Sequence, residues 1–367
     1  MKFTCLQEHI NKGLSLTSHL ASKNVSLPIL NTVLIHGEKN TITFTATNLE
    51  IGMRTVIRGK LEAEGSIAVP AKTLADYVGL LTEEKLEVLA EGTTLSVKGK
   101  NTKTTIKGQS AEEFPIIPEV AKNQPILLKT KDLKTALGQT AYAVAQDESR
   151  PEISGVYMRI NGSTATVVAT DSYRLAEKKI QLLKPVSEEL QIIIPTRTIQ
   201  ELTRVISDDV QQVEMHVSDN QILFVSENVE LVSRLIEGQY PEYHQIIPQE
   251  YVSEATVNRE ELLKAVKGAA LFSKSGVNDV HISLDVEKKQ VKISSANTQL
   301  GEHETELAAG ATGASTEIVF NHRYLLDGLN SIENNEVKLL LIDGGNPGTI
   351  KPKNDDGFLY IIMPIKQ

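Results

Sequence analysis

The residues able to do chemistry are few, and they do not converge. Asp171, in the run VATDSYRLA, could serve as a catalytic acid. Asn48 and Asn297 hold its place in the similar runs TATNLEIGM and SSANTQLGE, and an amide cannot exchange a proton as a carboxyl does. A turn at the end of a strand suits all three positions, because Asp and Asn side chains accept hydrogen bonds from the backbone just ahead. The eight histidines, among them His216, His244, His281, His303 and His322, form no HxxxH or HExxH pair. Cys5 is the only cysteine, which excludes an internal disulfide and a thiolate zinc site. The loop DGGNPG, Asp343 to Gly348, lacks the Lys-Ser/Thr of a phosphate loop, and no GxGxxG opens a helix. Asp208, Asp209, Asp355 and Asp356 read as loop carboxylates. A non-catalytic protein without metal or cofactor is expected. A hydrolase built on the VATDSYRLA turn and nearby histidines is the alternative.

The basic residues are better organised. Lys72, Arg197 and Arg323 stand 125 and 126 residues apart, each near the start of a helix-like run: AKTLADYVGLL, TRTIQELTRVI and HRYLLDGLNSI. Arg204 follows Arg197 by two helical turns, and Lys12, Lys134, Lys264 and Lys267 lie on other helix-like segments. Such residues are either solvated helix faces or, if the helices share a surface, a lining for a phosphate backbone that reads no base. Lys98, Lys100, Lys103 and Lys107 punctuate one strand-like region, whereas Glu302, Glu304 and Glu306 alternate along another. Strict alternation puts the three carboxylates on one strand face. They either guard a solvated edge against aggregation or match a basic edge on a second molecule, in which case copies join head to tail and close a ring.

The elements that position these residues come three times. Asp171 lies 123 residues after Asn48, and Asn297 lies 126 after Asp171. Leu74, Ile199 and Leu325 stand 125 and 126 apart within their helices, and Pro115 and Pro241 stand 126 apart within SAEEFPIIP and EGQYPEYHQIIP. A period near 125 is that of whole domains, not of a solenoid. Each copy opens on an amphipathic helix, marked by Leu6, Ile10 and Leu14, by Leu133, Leu137, Thr140 and Val144, and by Leu262, Val266 and Ala270. A second helix follows a short buried strand, so each copy reads as helix, strands, helix, strands: an α+β fold. Polar stretches around 119–125 and 248–254 divide the chain into domains 1–120, 128–250 and 252–367.

A length of 367 residues accommodates those domains, and 40% hydrophobic with 23% charged residues fits a folded, soluble chain. With no tryptophan and 4% aromatic residues, the cores must be aliphatic. The net charge of −9 excludes a uniformly basic nucleic-acid-binding surface, though not a segregated one. The N-terminal MKFTCLQEHI lacks a signal-peptide apolar run, and no stretch approaches a membrane span, so a cytoplasmic location is expected.

Over nearly its whole length the chain resembles the bacterial DNA polymerase III beta subunit family, the replicative sliding clamps. The matching runs are MKFT, SLPILNTVLI, ATNLEIGM, VPAKTL, EEFPIIP, ESRPEISGVYM, VATDSYRLA, IIPTRTIQEL, SRLIEGQYPEYHQIIP, FNHRYLLDGL and YIIMPIKQ. The resemblance implies a DNA-clamp fold of three homologous domains, each with two helices on antiparallel sheets. It further implies a head-to-tail homodimer closing a six-domain ring around duplex DNA, and a non-catalytic processivity factor of the nucleoid. The implied partners are double-stranded DNA, the replicative polymerase, an ATP-driven clamp loader and other proteins with a clamp-binding motif.

The resemblance also implies sites. A partner-peptide pocket would comprise Ile153, Thr170, Ser172, Tyr173, Arg174 and Leu175, then Pro241, Gln245, Ile246, Val277, Asn346 and Pro347. The tail would add Ile361, Ile362, Met363, Pro364, Ile365 and Lys366. Ser172-Tyr173 stands where many members have Gly-His or Gly-Tyr, and Gln245 where an arginine occurs. DNA contacts would fall at Lys23 and Asn24, the latter where an arginine is frequent, and in the loop Gln146 to Arg150, with Arg150 matching. Lys72, Arg197, Arg204 and Arg323 would add helix-borne DNA contacts. A dimer seam would set Lys100, Lys103 and Lys107 against Glu302, Glu304 and Glu306, with Ile106, Leu271 and Phe272 as its apolar centre.

Overall fold

The computed structural model describes residues 1–21, 26–147 and 149–366. The expected contacts Lys23 and Asn24 lie outside the described residues. The helices are α1 (Gln7–Thr17), α2 (Ala71–Leu80), α3 (Thr130–Thr140), α4 (Thr196–Val205), α5 (Arg259–Ala270) and α6 (His322–Ser331). Each repeat contributes two, as its sequence pattern requires. On α1 the buried residues Ile10, Gly13, Leu14 and Thr17 follow helical spacing and cover one face. On α6 the face is Leu325, Gly328 and Leu329. A Cβ at Gly328 would stand 2.3 Å from the Tyr360 ring, so only glycine lets the helix sit this close to the sheet.

The repeated motif is a hydrogen-bonded turn. Thr47 Oγ1–H donates to the Ile51 carbonyl (2.9 Å), and Asn48 Oδ1 accepts from the Glu50 and Ile51 amides. One repeat on, Thr170 Oγ1–H donates to the Arg174 carbonyl (2.6 Å), and Asp171 Oδ1 accepts from the Tyr173 and Arg174 amides. Asn297 Oδ1 accepts from Gln299 and Leu300 in the third copy. Asp171 is therefore the turn residue that its amide counterparts indicate.

Sheets continue across repeat boundaries. One eight-stranded sheet joins the first and second repeats by pairing Ile51–Ile57 with Val229–Arg234, Leu231 opposite Met53. A nine-stranded sheet joins the second and third by pairing Arg174–Gln181 with Phe358–Ile362, Leu175 opposite Ile361. A five-stranded sheet ends on the free edge Lys103–Lys107, and a four-stranded sheet on the free edge Gly301–Ala308. Because strands pair across repeats, the chain packs as two compact units, 1–130 with 200–235 and 131–199 with 236 to the C-terminus. The unit holding the first repeat has a core of Ile10, Leu14, Leu74 and Val88 built around two aromatic rings, Phe3 and Phe44, so the few aromatic residues go to the interior and the core is not purely aliphatic. No described helix is long and apolar enough to cross a membrane.

Candidate functional site

The junction of the nine-stranded sheet gathers much of the expected pocket. Ile153, Leu175 and Ile361 share an apolar cluster with Tyr157, Val168, Ile193, Tyr240 and Tyr243. Tyr157 stacks on Tyr240 at 4.5 Å between ring centres. Tyr243 O–H donates to the buried Glu177 (2.7 Å), and burial together with that carboxylate holds the phenol protonated well above its usual range. Leu175, Ile361 and Ile362 are fully buried, and Ile153 and Thr170 nearly so. These five form the floor beneath the surface.

The accessible part is the rim. Tyr173 is 63% exposed, with Gln245, Ile246, Val277, Asn346 and Lys366 also exposed, and Pro241, Pro347, Met363, Pro364 and Ile365 half-buried. Met363 N–H donates to the Tyr173 carbonyl and Ile365 N–H to the Val319 carbonyl, both at 2.8 Å. These bonds hold a tail that would otherwise fray. Asn346 is tied to Asp343 within its own loop. Ser172 has φ +76°, a left-handed conformation that favours glycine, and its Oγ accepts from Arg150 (2.9 Å). Arg150, expected on a DNA-contacting loop, thus also borders this rim and pairs with Glu152.

Arg174, expected in the pocket, is largely buried. It is 9% exposed, donates to Asp171 (2.9 Å), Asp327 and the Tyr142 carbonyl (2.9 Å), and lies over the Tyr324 ring at 4.6 Å. Burial opposes its charge, but the neighbouring Tyr360, Asp327 and Asp171 outweigh that and raise its pKa above the ordinary value. Its bonds tie the second-repeat turn to α6 of the third repeat. The sequence reading missed this role, although an arginine opening a run as apolar as Leu175-Ala176 must find partners if buried.

Among the helix cations, Lys72, Arg197 and Arg323 are exposed, Lys72 pairing with Asp76 at 3.0 Å. Arg204, also exposed, has a structural role besides. Its guanidinium is held by Glu201 (2.8 Å) and donates to the carbonyls of Ser15 (3.0 Å) and Leu16 (2.7 Å), so it caps the C-terminal end of α1. At the free edges, Lys100, Lys103 and Lys107 are exposed, as are Glu302, Glu304 and Glu306, with Glu304 also meeting Lys292 at 3.1 Å. Leu271 is 72% exposed, and Phe272 stacks on His303. Ile106 is 7% exposed and packs in the core of its own repeat, because alternation turns it away from Lys103 and Lys107. It is not an exposed seam residue.

Comparison with known proteins decides the family. Models of the DNA polymerase III beta subunit match in order: its N-terminal domain over residues 1–118, its central domain over 127–242 and its C-terminal domain over 244–366. The chain belongs to the DNA polymerase III beta subunit family. It is 31% identical to the beta sliding clamp of Staphylococcus epidermidis, across 100% of this chain and 99% of that protein. The DNA polymerase sliding clamp of Bacillus subtilis superposes with a TM-score of 0.95 at 27% identity, covering 100% and 99% of the two chains. The sliding clamp of Pseudomonas aeruginosa bound to griselimycin gives 0.94 at 27%, with full coverage of both. The family's role is that of a processivity clamp in DNA replication, a task of binding and not of catalysis. The hydrolase alternative is thereby set aside.

Proposed function

We propose that two copies of this chain join head to tail through their free sheet edges and close around duplex DNA, and that the rim at the second–third seam docks the partners. The observation that carries the reading is the pair of oppositely charged edges. One end sheet offers Lys103 and Lys107 beside Lys100, the other Glu302, Glu304 and Glu306, with Leu271 standing bare nearby. An edge strand with unpaired backbone groups seeks a partner strand, and opposite charges select which one. The ring would comprise six domains, three per chain, bounded at 1–120, 128–250 and 252–367.

Within it, Lys72, Arg197 and Arg323, with Arg150, Lys23 and Asn24, would meet phosphates without reading base edges. The negative total charge suits this: DNA is retained by topology while weak contacts allow sliding. Tyr173, Gln245, Ile246, Val277, Met363, Pro364 and Ile365 would receive the apolar side chains of a peptide from the polymerase, the clamp loader or another partner, Met363 adapting to several. The setting is the cytoplasm, at the nucleoid. The test is retention on circular DNA after loading, and release once that DNA is linearised. Equal retention on both, or tight sequence-specific binding to a short linear duplex, would defeat the encircling reading.

A further inference from the structure

The frame that builds the partner rim at the second–third seam occurs once more. The strand pair Ile51–Ile57 and Val229–Arg234 joins the first and second repeats as Arg174–Gln181 and Phe358–Ile362 join the second and third. A step of 123 residues carries Leu175 and Glu177 back to Gly52 and Arg54. A step of 126 carries Tyr243, Gln245 and Ile246 back to Ile117, Glu119 and Val120. All five of these counterparts line one cavity of about 490 Å³, which Lys122, Glu230 and Val232 help to enclose.

Two departures set its chemistry. Where Leu175 fills the floor of one seam, Gly52 leaves room, and Ile117 from the connecting segment lies across it. A Cβ at Gly52 would stand 2.7 Å from Ile117 Cγ2. Where Glu177 is buried against Tyr243, Arg54 reaches the mouth half-exposed. Arg54 (3.8 Å) and Lys122 both pair with Glu230, so two cations share one carboxylate while the exposed Glu119 lies outside that pairing. Beside the cavity, Ile116 is 94% exposed, an apolar side chain left bare in water.

We propose that this first–second seam is a second peptide-docking groove, taking a short extended segment with an apolar side chain and a carboxylate two residues apart. In an extended chain those two side chains point the same way. The apolar one meets Ile117, Val120 and Val232, and the carboxylate completes the charge cluster at Arg54 and Lys122. The groove borrows the geometry proposed for the other seam but stands whether or not that seam binds peptide.

The test is a methyl NMR titration of the full chain with the blocked pentapeptide Ala-Leu-Ala-Asp-Ala. Saturable shifts are expected at the methyls of Ile117, Val120 and Val232. Lys122→Glu should weaken binding about tenfold, and a peptide with lysine in place of aspartate should leave those methyls unmoved. Met363 reports the other seam separately, so failure there is distinguishable from failure here. Unmoved groove methyls, or equal responses to both peptides, would overturn the proposal. Shifts that depend on protein concentration without peptide would assign the groove to a second copy and overturn it equally.

Discussion

Arg174→Leu isolates what locks the second–third seam. The substitution removes a guanidinium that donates to Asp171, Asp327 and the Tyr142 carbonyl, and leaves those acceptors behind. Breaking a buried ion pair by removing one partner costs about 3–5 kcal/mol. Asp327 is 46% exposed and readily rehydrated, so its share counts as that of a surface pair, near zero. Asp171, 15% exposed, carries most of the penalty. Leucine regains some apolar burial, so a net loss of about 3 kcal/mol is expected. Native-state hydrogen exchange reads it locally: amides of Arg174–Gln181 and Phe358–Ile362 should lose protection roughly a hundredfold. Those of Ile51–Ile57, in the other unit, should not change. The repeats supply the rescue. Asn48 is followed three residues on by Ile51, and Asn297 by Leu300, whereas Asp171 is followed by Arg174. Adding Asp171→Asn to Arg174→Leu restores the amide–apolar pairing, keeps the turn acceptor, removes the stranded charge and should recover about half the loss. A single variant with less than about threefold loss, or a double variant no better than the single, would refute the reasoning.

Reversing Glu302, Glu304 and Glu306 to lysine should yield monomers by light scattering, since both edges would then be basic. Deleting the last five residues removes the Met363–Tyr173 and Ile365–Val319 bonds, and should abolish binding of a polymerase-derived peptide in fluorescence titrations while the dimer persists. Arg204→Ala should lower urea stability by about 1–2 kcal/mol with DNA binding unchanged, whereas alanine at Lys72, Arg197 and Arg323 together should weaken DNA binding and flatten its salt dependence without lowering stability. Burial first, and then the Arg323 charge, lower the pKa of His322 below 6.5. The unfolded chain therefore takes up the proton first: stability is full above pH 6.5, falls as the pH drops toward the folded-state value and then levels off. His322→Gln should flatten that slope in denaturation measured across the range.

The repeats were legible because their signature is a local turn, closed within five residues by Thr47 and Asn48 or by Thr170 and Asp171. The acidic edge was legible because an exposed strand obeys a period of two. The same rule places Ile106 inward, between outward-facing Thr105 and Lys107, and neglect of it put that residue at the seam. Arg204 was not legible: its acceptors on Ser15 and Leu16 lie 189 and 188 residues away, and nothing on its own helix announces them. Nor were Arg174, Glu177 and Lys178, three charged residues buried in one strand. That strand lies inside a sheet of nine, where burial on both faces removes the usual alternation, and the ions are held by Asp171 and Asp327, by Tyr243 and Lys179, and by Asp355.

The divergence between the two seams follows from what each must hold. Strand pairing alone sets Leu175 opposite Ile361, yet a slip by one residue would turn every side chain of Phe358–Ile362 to the opposite face. Apolar contacts tolerate such a slip better than directional bonds do. Arg174 bonds to Asp327 on α6, and Tyr360 of the final strand donates to the Tyr324 carbonyl on that helix, so register and helix are fixed together. The first–second seam holds its strand Val229–Arg234 by a hairpin on one side and by Ile51–Ile57 on the other. Its cations, Arg54 and Lys122, both pair with Glu230, which lies opposite Arg54 in register, and they do so at the surface, where the proposed peptide carboxylate would meet them.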